Sequence, residues 1–290
     1  MLLSTGVGLF AAFLSSCHGG MKNLDESSGL DQSFEHFHCL SPSNVHTENY
    51  RKFPLSLGWE IENNVWGAYL LGGESWYQCL LRYQDGSWGW NWSFPFKPWY
   101  MLAYPMLRIH DIGQSEAFFP RDVNSPGNLK LKVHYDWYQL SSDFRGNMAP
   151  ELWIVNTNAI NSNNFFDFSL RVGEIMFWLD VKGGLTTGAT EVATYTSSNG
   201  VNWKLFVNTN HQSHNLDNGW VYMAFVAQQA QRNTEIPMSE MVSFALSKVR
   251  ELPGHSSYCS SNCYLLDLEL GTEVMSGSGR LKLHEWSWTH

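Results

Sequence analysis

The chain has 290 residues with 18 basic and 27 acidic side chains, a net charge of -9. It is long enough for a sizeable core and too acidic to favour nucleic acid or an anionic membrane surface as partner. Its 14 Trp, 17 Phe and 12 Tyr exceed the usual needs of a core, and indole rings are good platforms for the apolar faces of neutral ligands such as sugars.

Residues 1–17 read as a signal peptide. The apolar run from Leu2 to Ser16 is too short to span a bilayer and suits a secretory signal, although no Lys or Arg precedes it. Leu14-Ser15-Ser16-Cys17 also resembles a bacterial lipobox. Export as a free protein and attachment to a membrane through a lipidated Cys17 are therefore the two alternatives. Both lead to an oxidising compartment, where the other cysteines are expected to pair as Cys39 with Cys79 and Cys259 with Cys263. Residues 18–40, rich in Gly, Ser, Asp and Glu, read as a flexible tether. Glu35, His36, His38 and Cys39 at its end match no zinc spacing.

Residues 41–290 read as one domain of short strands separated by Gly, Asn, Asp, Ser and Pro, the interval of an all-β sandwich or jelly roll. Strands are expected at 58–62, 78–83, 86–93, 130–140, 151–155, 174–180, 191–196, 202–207, 221–226, 264–270 and 279–288. The Asn-rich segments 156–164 and 208–218 read as surface loops, the second exposing His211 and His214. One segment has helical period: Met238, Met241, Val242, Ala245, Val249 and Leu252 fall on one face of 238–251, with Pro237 in the first turn and Pro253-Gly254 after the last. No Gly-rich phosphate loop is present, and no cofactor or metal is expected.

Two stretches carry candidate chemistry. In Gly173 to Asp180, alternation puts Glu174, Met176 and Trp178 on one face and Ile175, Phe177 and Leu179 on the other. One face is oily; the other offers a carboxylate, a thioether and an indole. In Tyr264 to Gly279, Leu266, Leu268 and Leu270 share one face, while Asp267, Glu269, Gly271 and Glu273 share the other, with Gly271 leaving room for a ligand beside Glu273. Trp88, Trp90 and Trp92, spaced two apart, either line sugar subsites or fill the sandwich core.

Together the two stretches resemble the signature of the family 12 glycoside hydrolases, the endoglucanase and xyloglucanase β-jelly rolls. Gly173 to Leu179 is similar to that family's nucleophile strand, which points to Glu174; Gly271 to Ser278 is similar to its acid/base segment, which points to Glu273. Weaker matches fall in the same order. Asn63-Asn64-Val65-Trp66-Gly67 resembles a motif whose Trp stacks on substrate, Cys79 sits where the family has the partner of an N-terminal disulfide, and Trp90-Asn91-Trp92-Ser93 follows. Ala149-Pro150-Glu151-Leu152 stands where the family has an Asp beside the nucleophile, so Glu151 takes that place, and Val274-Met275 replaces the usual Pro and aromatic.

The resemblance implies two curved antiparallel sheets with one helix and endo-acting hydrolysis of a β-1,4-glucan with retention, by a monomer that uses no metal. The implied substrate contacts are Asn64, Trp66, Met176, Trp178, Trp90 and Trp153. Two carboxyls about 5–5.5 Å apart cannot both ionise easily, so Glu273 is expected to hold the proton and Glu174 to stay ionised, helped by Glu151 as a protonated donor. A non-catalytic carbohydrate-binding protein on the same scaffold is the alternative; it would have no need of two opposed carboxylates.

Overall fold

The computed structural model describes residues 33–48, 51–55, 58–97, 100–109, 118–162, 167–211 and 219–290. The expected signal 1–17 with Cys17, tether residues 18–32 and His214 lie outside them. In chain order the strands are β1 (Phe34–Leu40), β2 (Lys52–Pro54), β3 (Trp59–Glu62), β4 (Tyr77–Tyr83), β5 (Trp88–Phe94), β6 (Met106–Ile109), β7 (Arg121–Asp122) and β8 (Lys130–Tyr138). They continue with β9 (Arg145–Asn156), β10 (Arg171–Trp178), β11 (Asp180–Lys182), β12 (Thr190–Thr196), β13 (Asn202–His211), β14 (Trp220–Ala227), β15 (Asn233–Ile236) and β16 (Cys263–Thr289).

The long strand β16 belongs to two sheets. Its residues 277–289 pair with β5 and β8 in sheet A, ordered β1-β4-β5-β16-β8-β15, while residues 263–276 pair with β6, β7 and β9 in sheet B. Sheet B runs β2-β3-β6-β16-β9-β10-β14-β13-β12. Not all of it is antiparallel as expected: β10 and β14 pair in parallel, because the β12-β13-β14 meander returns its last strand to the edge of β10.

The inner faces of both sheets meet in one apolar core. Ile175, Phe177 and Leu179 enter it with Leu152 and Ile154 of β9 and Leu205 and Phe225 beyond, and Phe177 stacks on Phe225 with ring centroids 5.7 Å apart. Each such side chain contributes roughly 1.5–3 kcal/mol by leaving water. The helix Met238–Arg250 covers part of this core with Met238, Met241, Val242, Ala245, Leu246 and Val249, and Lys248 and Arg250 lie in its last turn, where they complement the helix dipole. Short helices at Val45–Glu48 and Thr157–Ser162 add to the one expected. The second forms inside the segment read as a loop, since Asn156 Oδ1 accepts the backbone N–H groups of Asn158 and Ala159 and caps its first turn.

The end of the expected tether is structured. Phe34–Leu40 is edge strand β1, paired with β4 so that Cys39 lies directly opposite Cys79, and the two are joined in a disulfide; Cys259 is joined to Cys263. Leu40 is wholly buried. The polar composition hid this strand because its other face is solvated and its pairing is fixed covalently. The Cys39–Cys79 bridge closes a separation of 40 residues, so the Cys39→Ser/Cys79→Ser protein is expected to lose roughly 2–5 kcal/mol in urea denaturation; an unchanged midpoint would contradict this anchoring of β1.

Trp90 also departs from expectation. It is fully buried, as is Trp92, and its indole Nε1 donates to Thr272 Oγ1 at 2.9 Å. Both indoles face sheet B across the core, so Trp90 is a core residue and not a substrate contact. Trp88, at the start of the same strand, is half-buried against Phe37.

Candidate active site

The face of sheet B turned away from the core carries a second cluster: Tyr104, Met106, Ala149, Trp153, Met176, Trp178, Trp220, Tyr222 and Leu266. Carboxyls are set among these rings. Glu174 projects from β10, Glu151 from the neighbouring β9, and Glu269 and Glu273 from β16 on the far side of β9. Glu151 is directly opposite Glu269, and Glu273 is opposite Asn147. Tyr104 shows that the four acids share one region. Its wholly buried hydroxyl is pushed well up by burial and then by the charges of Glu151, Glu269, Glu273 and Glu174, while it donates to Ala149 O at 2.6 Å.

Glu174 is 7% exposed, and its Oε2 accepts the indole N–H of Trp220 at 2.7 Å. Burial pushes its pKa up to about 8, against the Trp220 hydrogen bond and with help from the charge of Glu273. Apolar surroundings thus overcome the hydrogen bond expected to keep this group ionised. Glu273 is half-buried and clamped by one residue: Asn147 Nδ2 donates to its carboxylate, and the Glu273 backbone N–H donates to Asn147 Oδ1 at 3.3 Å. Burial pushes Glu273 up to about 7, opposed by the Asn147 bond. Glu151 is held well above the ordinary carboxylate range by burial and then by the charges of Glu269, Glu174 and Glu273.

Met176 and Trp178 follow Glu174 on the same face. The Met176 sulfur accepts from both the Trp178 indole and the Tyr222 hydroxyl, each at 3.5 Å, weak bonds that fix the thioether beneath the acids. Trp153 packs edge-on to Trp220 with centroids 5.6 Å apart and carries the Arg171 guanidinium over its ring at 3.9 Å. His211, read as a loop residue, ends β13 and stacks against Tyr222 at 5.0 Å.

A charged network continues the face toward β6 and β3. Arg108 Nε donates to Asp267 Oδ2 at 3.0 Å, and its guanidinium lies 3.3 Å from Glu269 and 4.0 Å from Glu62. Burial alone would lower the Arg108 pKa, but Asp267 and Glu269 outweigh it and hold the group charged. A register shift between Leu265 and Leu268 reshapes the strand here. Leu265 and Leu268 enter the core while Leu266 joins the aromatic face, so Leu266 does not share a side with Leu268 and Leu270 as strict alternation implied.

Gly271 was expected to leave space for a ligand. A Cβ there would meet Tyr104 ring carbons at 2.7 Å and Pro105 O at 2.8 Å, so the missing side chain admits Tyr104. The Asn63 to Gly67 motif forms the turn after β3. The Trp66 N–H donates to Asn64 Oδ1, Asn64 O accepts the Tyr104 N–H, and Gly67 N–H reaches Leu102 O. Asn64 and Trp66 are half-buried. Sequence reading gave no role to Asn147, Trp220, Tyr104 or Arg171. Only Trp220 and Tyr222, two apart around Val221, carried a usable signal, the alternation of one strand face.

The sequence matches the family model for glycosyl hydrolase family 12 over residues 57–289. It is 25% identical over 231 residues to endoglucanase S of Pectobacterium parmentieri, covering 77% of this chain and 78% of that protein. It is 26% identical over 226 residues to a probable xyloglucan-specific endo-beta-1,4-glucanase A of Aspergillus terreus, covering 75% and 76%. The fold resembles a family 12 xyloglucanase from Bacillus licheniformis with a TM-score of 0.69 at 22% identity, over 87% of this chain and 99% of that one. It also resembles the Trichoderma harzianum endoglucanase 3 with a TM-score of 0.64 at 21% identity, over 87% and 96%. With a jelly roll, a face of buried carboxyls among aromatic rings and a family match spanning both candidate strands, this chain belongs to glycosyl hydrolase family 12 and is a glycosidase.

Proposed function

We propose that this enzyme cleaves internal β-1,4 bonds of a glucan (cellulose, mixed-linkage glucan or xyloglucan) with retention of anomeric configuration. The observation that carries the reading is the placement of Glu174 and Glu273 on strands flanking β9, with the pKa values of both raised and that of Glu151, on the strand between them, raised as well. Glu174 attacks the anomeric carbon. Glu273 protonates the leaving oxygen and then, as a carboxylate, takes the proton from the incoming water. Glu151, neutral and a hydrogen-bond donor, steadies the charge on Glu174. Met176, Trp178 and Trp153 form the floor, and Asn64 and Trp66 contact sugars farther along the sheet. The protein acts as a monomer outside the cytoplasm, free or held by a lipid on Cys17. Reducing-end assays on the three glucans, with NMR of the first anomer formed, test this: an α-anomer as initial product would overturn retention, and no release from any glucan would overturn the substrate class.

The pH profile gives a further expectation. Below about 7 both carboxyls are protonated and the nucleophile is silenced; above about 8 no proton remains for the leaving group. Because the protons belong to the pair, kcat/KM is expected to be bell-shaped with limbs near these values, whichever group holds the proton. An optimum near about pH 4.5, where ordinary carboxyls titrate, would contradict the burial of the site.

A further inference from the structure

The face of sheet A away from the core holds a group of side chains that the glycosidase reaction does not use. Along β8, Leu131, Val133 and Tyr135 point into the core, so His134 and Asp136 share the opposite face. On the partner strand β16, Leu283 is opposite Tyr135 and Glu285 is opposite His134, leaving His284 as the extra residue of a bulge. Bulges re-aim side chains. Here the result is that His284 Nε2 lies 3.1 Å from Asp136 Oδ2, and the His134 and His284 rings sit 4.7 Å apart at 30°.

One ligand atom from each of His134, Asp136 and His284 lies within 4.8 Å of the others. A tetrahedral zinc ion with bonds of about 2.0–2.2 Å spaces its donors roughly 3.3 Å apart. The His284–Asp136 pair, at 3.1 Å, already has that spacing. All three are half-buried, which leaves an approach for an ion and a fourth position for water. Of the neighbouring cations, Lys282 Nζ binds Asp85 at 2.6 Å, while Arg232 lies 3.6 Å from Asp180 and 4.0 Å from the other oxygen of Asp136, leaving Oδ2 to His284. The second such group among the described residues, His36 with Cys39 and Cys79, has its sulfurs committed to a disulfide.

We infer that His134, Asp136 and His284 form a binding site for a borderline divalent transition ion, with Zn2+ as the probe, that clips β8 to the C-terminal part of β16. Two imidazoles and one carboxylate suit this class of ion rather than calcium or magnesium. The role is structural, since the site faces away from the core on sheet A while the carboxyl cluster lies on the outward face of sheet B.

Calorimetric titration of EDTA-treated protein with Zn2+ and thermal melts with and without Zn2+ test it. One ion per chain and a rise in Tm are expected, with glucan hydrolysis unchanged by EDTA. Both effects are expected to vanish in His134→Ala, His284→Ala and Asp136→Asn, and to persist in His36→Ala. Melts in EDTA that match the parent establish that the variants fold, and Asp136→Asn removes the ligand charge with the least change of shape. No binding by the parent at about 1 mM Zn2+, or a rise in Tm that survives all three substitutions, overturns the site. Neither result bears on the glycosidase reading.

Discussion

Glu174→Gln is expected to slow reducing-end release from β-glucan by roughly 10^4-fold or more while leaving oligosaccharide binding largely intact. The amide keeps the shape of the side chain and an oxygen that can accept the Trp220 N–H, but it cannot form the glycosyl-enzyme bond. Stability supplies an independent reading. The Glu174 pKa is raised from 4.5 to about 8 in the folded protein, so the unfolded chain ionises this group first as pH rises. The carboxyl therefore costs the fold progressively more between those two values, and no further above them. Tm of Glu174→Gln relative to the parent is thus expected to climb across this window and then level. Full hydrolytic activity in the variant would sink the nucleophile assignment; a flat Tm difference would show that the site is wetter than its burial indicates. Isothermal titration with a cello-oligosaccharide separates lost chemistry from a lost fold, because a collapsed site would lose binding as well.

What could be read from the chain was what repeats locally. The period of two in β10 separates Glu174, Met176 and Trp178 from Ile175, Phe177 and Leu179, and the period of the helix picks out Met238, Met241, Val242, Ala245 and Val249. What could not be read depended on partners distant in sequence. Trp90 alternates as a sugar platform would, yet which side of β5 faces sheet B is fixed by pairing with β16 almost two hundred positions later. Gly271 looks like an opening until Tyr104 arrives to fill it. Asn147 is one Asn among many in the sequence, and only its register opposite Glu273 makes it a clamp. The bulges at Leu265 to Leu268 and at His284 leave no local trace, because an inserted residue breaks alternation in the same way that a loop does. Edge strand β1 was hidden for the opposite reason, since a disulfide replaces the apolar pattern that would have announced it.

Glu273→Ala is expected to separate the two steps of the reaction. A sugar alkoxide is a poor leaving group and needs its proton, so turnover of β-glucan falls by about 10^2 to 10^4. An aryl cellobioside with a dinitrophenolate leaving group departs without that proton. Its first step therefore stays close to the parent's rate, and the glycosyl-enzyme accumulates as a burst because no carboxylate remains to activate water in the second step. The bell-shaped pH profile collapses to a single limb, because only one of the two interacting carboxyls remains to titrate. Asn147→Ala probes the same residue more gently: losing the amide that donates to the carboxylate raises the Glu273 pKa further and moves the pH profile of the pair to higher pH, because that hydrogen bond favours the ionised form. Equal losses on glucan and aryl substrate in Glu273→Ala would mean that Glu273 serves binding or folding. The acid would then have to be sought at Glu269, which faces Glu151 directly across the strands and whose own pKa burial raises to about 7.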